Sequence, residues 1–344
     1  MSGAVAARGA TRVGGAGMAA AGFADRLEEA IEAKGSPVCV GIDPQLELFP
    51  APLAHLASSA SREVAAAAVL RFCDQLLDAV ADVVAVVKPQ VAFFERLGPP
   101  GWTALERVVA SARARGLLVI ADAKRGDIAS TAAAYADYFL GDPEGDTEVP
   151  ESAGALRGLG ADAVTLSPYL GADSLEPFLR HVARGKGIYL LAKTSNPGSS
   201  DLQDLSVTAD ATGQGARPLY AHAAAIAARA GAACVGRRGF SSVGIVVGAT
   251  SPAEAAELRR DHPTLPFLVP GYGAQGAGPD DIAAAFDARG RGAIVNASRS
   301  LIFAYRTPRH RELGEERWAE AARRECLAMR DAISAGLARR AEPA

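Results

Sequence analysis

The chain has 344 residues, 49% of them hydrophobic, and a formal net charge of −3 with both signs interspersed. That length suits two small domains or one large α/β domain, because α/β barrels run to about 250 residues as single units. The charge balance offers no basic excess for nucleic acid and no acidic tail, and no apolar run approaches the roughly 18 residues of a membrane-spanning helix.

The first 22 residues are Ala- and Gly-rich, with two arginines and no acid. Their glycines spoil an amphipathic helix and their hydroxyl residues are few, so a disordered extension, or a false start with Met18 as the true initiator, is expected over a transit peptide. From Phe23 the chain alternates short apolar runs with Ala-rich stretches of helical length, predicting a single domain over residues 23–340. The runs that read as buried strands are Val38–Ile42, Val83–Val87, Leu117–Ala121, Ala163–Leu166, Ile188–Ala192, Val243–Val247, Phe267–Val269 and Ala293–Val295. Continuous aliphatic runs with polar C-terminal ends are expected of parallel strands covered by helices. The helical stretches are Ser61–Ala81, Gly101–Arg115, Ile128–Phe139, Ser174–Ala183, Arg217–Ala230, Pro252–Asp261 and Asp280–Arg289, with Glu315–Arg339 closing the chain.

Strand then helix, eight times, is the pattern of a closed (β/α)8 TIM barrel. An open doubly wound sheet would usually carry a GxGxxG turn after its first strand, and Gly41-Ile42-Asp43-Pro44 does not fit one. Two polar, Gly/Pro/Asp-rich stretches, Gly141–Ala153 and Gly198–Gly215, read as surface insertions. Four cysteines without CxxC spacing and five dispersed histidines point to free thiols and to no protein-built zinc centre.

In a barrel, chemistry gathers at the C-terminal ends of the strands. The strongest signal there is Asp122-Ala123-Lys124-Arg125-Gly126-Asp127. Strand alternation puts Asp122 and Lys124 on one face, and buried charges at this spacing must be paired. Alone, the pattern reads as either a structural salt bridge or a tuned ammonium. Lys88, at the end of the neighbouring second strand, extends it to an alternating Lys88–Asp122–Lys124–Asp127 array. Opposite charges at close range hold both lysines protonated and present an ammonium proton donor.

Asp122-x-Lys124-x-x-Asp127, followed by Ile128 and Thr131, resembles the central motif of the orotidine 5′-phosphate decarboxylases. The resemblance extends to Gly41-Ile42-Asp43-Pro44, Val87-Lys88-Pro89-Gln90, Leu166-Ser167-Pro168-Tyr169-Leu170-Gly171 and Thr194-Ser195-Asn196-Pro197-Gly198. Val269-Pro270-Gly271-Tyr272-Gly273-Ala274-Gln275-Gly276 and Asn296-Ala297-Ser298-Arg299 complete it. The hexapeptide alone is moderately specific. Seven motifs in order, at the expected strand ends, are very specific, and their Asp-Ala-Lys-Arg-Gly-Asp form is that of the bacterial type 2 branch.

The resemblance implies decarboxylation of orotidine 5′-phosphate to uridine 5′-phosphate in pyrimidine biosynthesis, with no metal and no cofactor. It implies a cytoplasmic homodimer with shared active sites, a small-molecule nucleotide as substrate, and neither nucleic acid nor membrane as partner. Lys124 is expected to stabilise the C6 carbanion and protonate it, with Asp122, Lys88 and Asp127 completing the catalytic array. Asp43 is expected at the ribose and base, Ser167 at the pyrimidine, Thr131 at the ribose of the partner's site, and Gln275 and Arg299 at the phosphate. The nearest rivals are 3-keto-gulonate 6-phosphate decarboxylase and hexulose-phosphate synthase, related barrels that use Mg²⁺ held partly by a carboxylate at the end of strand two. Lys88 occupies that position here, and an ammonium repels a divalent cation. A non-catalytic phosphate-binding barrel would keep Arg299 and Gln275 but have no need of Lys124.

Overall fold

The structure is a computed structural model, and it describes residues 21–144, 156–208, 216–273 and 276–341. Eight parallel strands close into a barrel: β1 (Val38–Ile42), β2 (Val86–Pro89), β3 (Leu118–Arg125), β4 (Ala163–Leu166), β5 (Gly187–Lys193), β6 (Val243–Val247), β7 (Phe267–Pro270) and β8 (Ala293–Ala297). Each pairs with the next, and β8 returns to β1 through Val38↔Val295 and Cys39↔Asn296. The strands are buried almost throughout, because helices cover their outer faces while their inner faces fill the barrel.

The helix Phe23–Lys34 precedes the barrel and plugs its N-terminal end. Phe23 and Leu27 are buried against Tyr189, Ile120 and Val86, in a cluster separate from the strand–helix core outside. Phe23 meets Tyr189 edge-on, with ring centroids 6.0 Å apart. Glycine is required for this plug: a Cβ on Gly187 would lie 2.3 Å from the Phe23 ring, and one on Gly244 2.6 Å from that of Tyr189. Near that end a buried arginine, Arg259, donates to the carbonyls of Ala285, Pro263, Leu265 and Gly292 and lies 3.9 Å from the Phe267 ring centroid. Carbonyls satisfy its donors where no carboxylate is needed.

Several element boundaries differ from expectation. β2 begins at Val86 rather than Val83, because the amides of Val83 and Val84 still bond to Val80 O at the end of the preceding helix. β3 continues to Arg125, so the chemistry-bearing residues lie within the strand. The helix expected over Asp280–Arg289 stops at Ala283. Beyond it the Ala285 carbonyl accepts Arg259, and the Asp287 carboxylate accepts the amides of Arg289 and Arg291, so side chains take the bonds that would have propagated a helix. Short helices at Ala51–Ala57 and Val91–Glu95 were not anticipated.

Of the expected N-terminal extension, residues 1–20 lie outside the described residues, as does most of the first insertion. The described part of the second insertion carries a 3-10 turn, Pro197–Asp201, and an antiparallel ribbon pairing Ser206–Val207 with Arg217–Pro218. All four cysteines are free thiols, three of them buried. No helix among the described residues is long and apolar enough to cross a membrane.

Candidate active site

A cavity of 520 Å³ opens at the C-terminal mouth of the barrel. Its floor is polar because strands that are aliphatic along their length end in Asp43, Lys88, Asp122, Thr165 and Asn296. At its centre Asp122 accepts four hydrogen bonds. Lys124 Nζ reaches Oδ1 at 2.5 Å and the Thr165 hydroxyl reaches the same oxygen at 3.0 Å. Lys88 Nζ reaches Oδ2 at 2.5 Å and Gln90 Nε2 at 3.0 Å. Four donors fill the lone-pair directions that an ionised carboxylate offers.

Burial disfavours charge on both Asp122 and Lys88, and pairing overcomes it. Asp122 is held well below the usual carboxylate range by Lys88 and Lys124, and Lys88 is raised above the usual ammonium value by Asp122 and Asp43. Burial pushes the Asp43 carboxyl up, with Lys88 opposing. Asp43 Oδ1 and Asn296 Oδ1 are both buried without a hydrogen-bond partner among the described residues, so the cavity floor presents acceptors that a ligand's hydroxyls could satisfy.

Lys124 and Asp122 do come together, though not by simple pleating. The β3–β4 ladder runs Ala121↔Val164 and then Arg125↔Leu166, leaving Asp122, Ala123 and Lys124 opposite the single residue Thr165. The resulting bulge puts Lys124 at φ 48°, in the left-handed region, with its side chain 46% exposed. The ammonium therefore faces the open cavity while its partner is buried.

Arg299 lines the cavity from the start of the short helix Arg299–Ile302 that follows β8, and is exposed there. Gln275 lies outside the described residues. Three further expected residues do not line the cavity. Asp127 is half-buried and accepts the Ile128 amide at 2.8 Å, because the next helix begins only at Ala129 and the chain between makes an exposed turn. Thr131 is exposed on that helix. Ser167 accepts the Tyr169 amide at 3.4 Å, initiating the turn after β4. Only Lys88, Asp122 and Lys124 of the four-membered charge array are thus joined within one chain.

The cavity also holds residues to which sequence reasoning gave no role. Gln90 and Thr165 anchor Asp122, Ser195 stands on the wall after β5, and Asn296 is on the floor. Gln90 and Ser195 lie inside motifs already conspicuous in the sequence. Thr165, one polar residue in an aliphatic strand, carried no signal of its own. Gln203 comes from the second insertion. It accepts the Thr194 amide and donates to the Thr194 hydroxyl, both at 2.8 Å, while Lys193 holds Asp204 at 2.5 Å.

A larger cavity of 720 Å³ lies outside the barrel, between the helices Ala129–Leu140 and Glu176–Val182. It contains no strand-end residue, and its acids Asp137 and Asp142 are paired with His181 and Lys186. Among the described residues no group of three or more His, Cys, Asp or Glu is placed to hold a metal ion.

The family described as Orotidine 5′-phosphate decarboxylase / HUMPS matches residues 36–310. An orotidine 5′-phosphate decarboxylase of Rhodopirellula baltica is 44% identical over 313 residues, covering 90% of this chain and 98% of that protein. One of Roseiflexus castenholzii is 43% identical over 319 residues, covering 92% and 98%. The solved structure of Leishmania donovani OMP decarboxylase superposes with a TM-score of 0.62 at 36% identity, covering 90% of this chain and all of that one.

Proposed function

The chain belongs to the orotidine 5′-phosphate decarboxylase / HUMPS family, and from that premise we propose that its barrel decarboxylates orotidine 5′-phosphate with its own side chains, Lys124 serving as proton donor. It is a carboxy-lyase of pyrimidine nucleotide biosynthesis, yielding uridine 5′-phosphate. The observation that carries the site assignment is the Lys88–Asp122–Lys124 array at the cavity's centre.

Loss of CO₂ leaves an electron pair at C6 of the pyrimidine that the ring cannot delocalise conventionally. The Lys124 ammonium, tethered to Asp122, stabilises that charge and then transfers a proton to C6. Its exposure supports reprotonation from solvent once product leaves. Asp122 lies near the departing carboxylate and orients Lys124. Arg299 and Gln275 take the phosphate, and such remote binding contributes to lowering the barrier. Asp43 takes a ribose hydroxyl, for which its unpartnered buried oxygen is suited. The pyrimidine contact is assigned to Ser167, in the turn directly after β4, while Ser195 lines the cavity wall after β5.

Asp127 and Thr131 serve the site of a second copy in a homodimer. Their position outside their own chain's cavity supports this, as do the exposed apolar residues Ile128, Leu170 and Tyr169, the last 78% exposed, on the loops after β3 and β4. The biosynthetic role supports a cytoplasmic location. The ammonium of Lys88, paired with Asp122, disfavours the Mg²⁺-dependent sugar-phosphate reading, since it fills the place where that chemistry needs a carboxylate. The test is absorbance-monitored turnover of orotidine 5′-phosphate with EDTA present, with 3-keto-gulonate 6-phosphate and Mg²⁺ in parallel. Full activity on the nucleotide after chelation is expected, and activity that returned only with Mg²⁺ would reassign the enzyme.

A further inference from the structure

Lys124 holds a backbone conformation that a residue with a Cβ adopts only when its surroundings impose it. The imposing group is across the bulge. Thr165 stands alone opposite the three residues Asp122 to Lys124, and its side chain takes over from the interrupted ladder. Its hydroxyl accepts the Lys124 amide at 3.0 Å and donates to Asp122 Oδ1 at 3.0 Å. That same carboxylate oxygen holds Lys124 Nζ at 2.5 Å. Both ends of the lysine are thus tied to one carboxylate oxygen, the main-chain nitrogen through the Thr165 hydroxyl and the ammonium directly. Thr165 is 1% exposed and β-branched, so its χ1 is stiff and water does not compete for the hydroxyl.

We propose that Thr165 is a positioning residue for the decarboxylation, its hydroxyl locking the β3 bulge in the form that aims the Lys124 ammonium at the reacting carbon. The proposal rests on the reading of Lys124 as proton donor and adds the device that orients it. Without the hydroxyl the Lys124 amide has no partner in the interrupted ladder, the left-handed turn loses its anchor, and Asp122 keeps three donors of four. The ammonium then samples positions away from C6, and displacement of about 1 Å can cost on the order of 100-fold in rate. Arg299, at the start of the short helix after β8, is untouched, so nucleotide binding persists.

The experiment compares wild type with Thr165→Val, Thr165→Ala, Thr165→Ser and Lys124→Ala, measuring single-turnover decarboxylation, KM, uridine 5′-phosphate affinity and Tm. Thr165→Val keeps shape and strand propensity, and Thr165→Ala guards against a packing failure of the valine. Both are expected to slow the chemical step about 10- to 100-fold while product affinity stays within about threefold. Thr165→Ser, which keeps the hydroxyl, is expected to recover most of the rate. A valine variant within twofold of wild type (about 0.4 kcal/mol), a loss confined to binding, or a serine variant as slow as the valine would each overturn the positioning role. If Lys124→Ala itself retained turnover, the reading of the proton donor would fail instead. If Lys124→Ala were inactive and Thr165→Val normal, only the role of Thr165 would fall.

Discussion

Asp122 is where burial and charge oppose each other most directly. Its carboxylate is nearly excluded from water, yet two ammonium groups and two neutral donors keep it ionised. Removing a partner from a buried ion pair typically costs about 3–5 kcal/mol, because the remaining charge is stranded. Asp122→Asn should therefore lower stability by roughly that amount at neutral pH by leaving Lys88 under-compensated. Because the folded-state pKa of Asp122 lies below its unfolded value of about 3.9, its contribution is complete above that pH and is lost as pH falls further. The gap between wild type and Asp122→Asn, followed by urea denaturation, should thus narrow below about pH 4; a constant gap would show that the carboxylate's charge is not what stabilises. Lys124 and Arg299 should separate catalysis from binding. Lys124→Ala should lose at least the 10²–10⁴-fold or so of a general acid while still binding product nucleotide. Arg299→Ala should weaken that binding as well. Turnover of Lys124→Ala within tenfold of wild type would refute the mechanism.

At the scale of elements, the barrel is closed by parts outside its β/α repeat. The helix Phe23–Lys34 inserts Phe23 where Gly187 leaves room, against Tyr189, for which Gly244 leaves room in turn. Phe23→Ala should cost about 3–5 kcal/mol, the usual range for emptying a buried aromatic site, read as a shift in the denaturation midpoint with little change in KM. At the opposite end, the described part of the second insertion contributes Gln203 to the cavity wall. Gln203 clamps Thr194, next to Ser195, and Lys193–Asp204 pins the same segment to β5. Gln203→Ala should raise KM while the melting temperature barely moves, because the residue orders a wall and fills no core. An unchanged KM would return the insertion to a peripheral role.

For the whole molecule, a single chain assembles most of a site and leaves Asp127 and Thr131 on its outside. If a second copy receives them, mixing Lys124→Ala with Asp127→Ala subunits should restore activity, since some heterodimers then carry one native site. No recovery despite demonstrated subunit exchange would mean that each chain works alone.

The sequence by itself determined the barrel and the chemistry's address. Eight aliphatic runs with polar ends specify strands buried on both faces, and periodicity is a local property that survives without coordinates. It also carried Lys88, Asp122, Lys124, Asp43 and Arg299, because their types stand out at strand ends. Element limits were less legible where distant side chains set them: the helix near Asp280 ends because Arg259 and Asp287 take its backbone partners. Tertiary structure alone decided that Ser195 lines the cavity. It alone also brought Gln90 and Thr165 to Asp122. Strand alternation placed Asp122 and Lys124 side by side, but a bulge achieves it, and bulges arise from the register between two strands that only the folded barrel brings together.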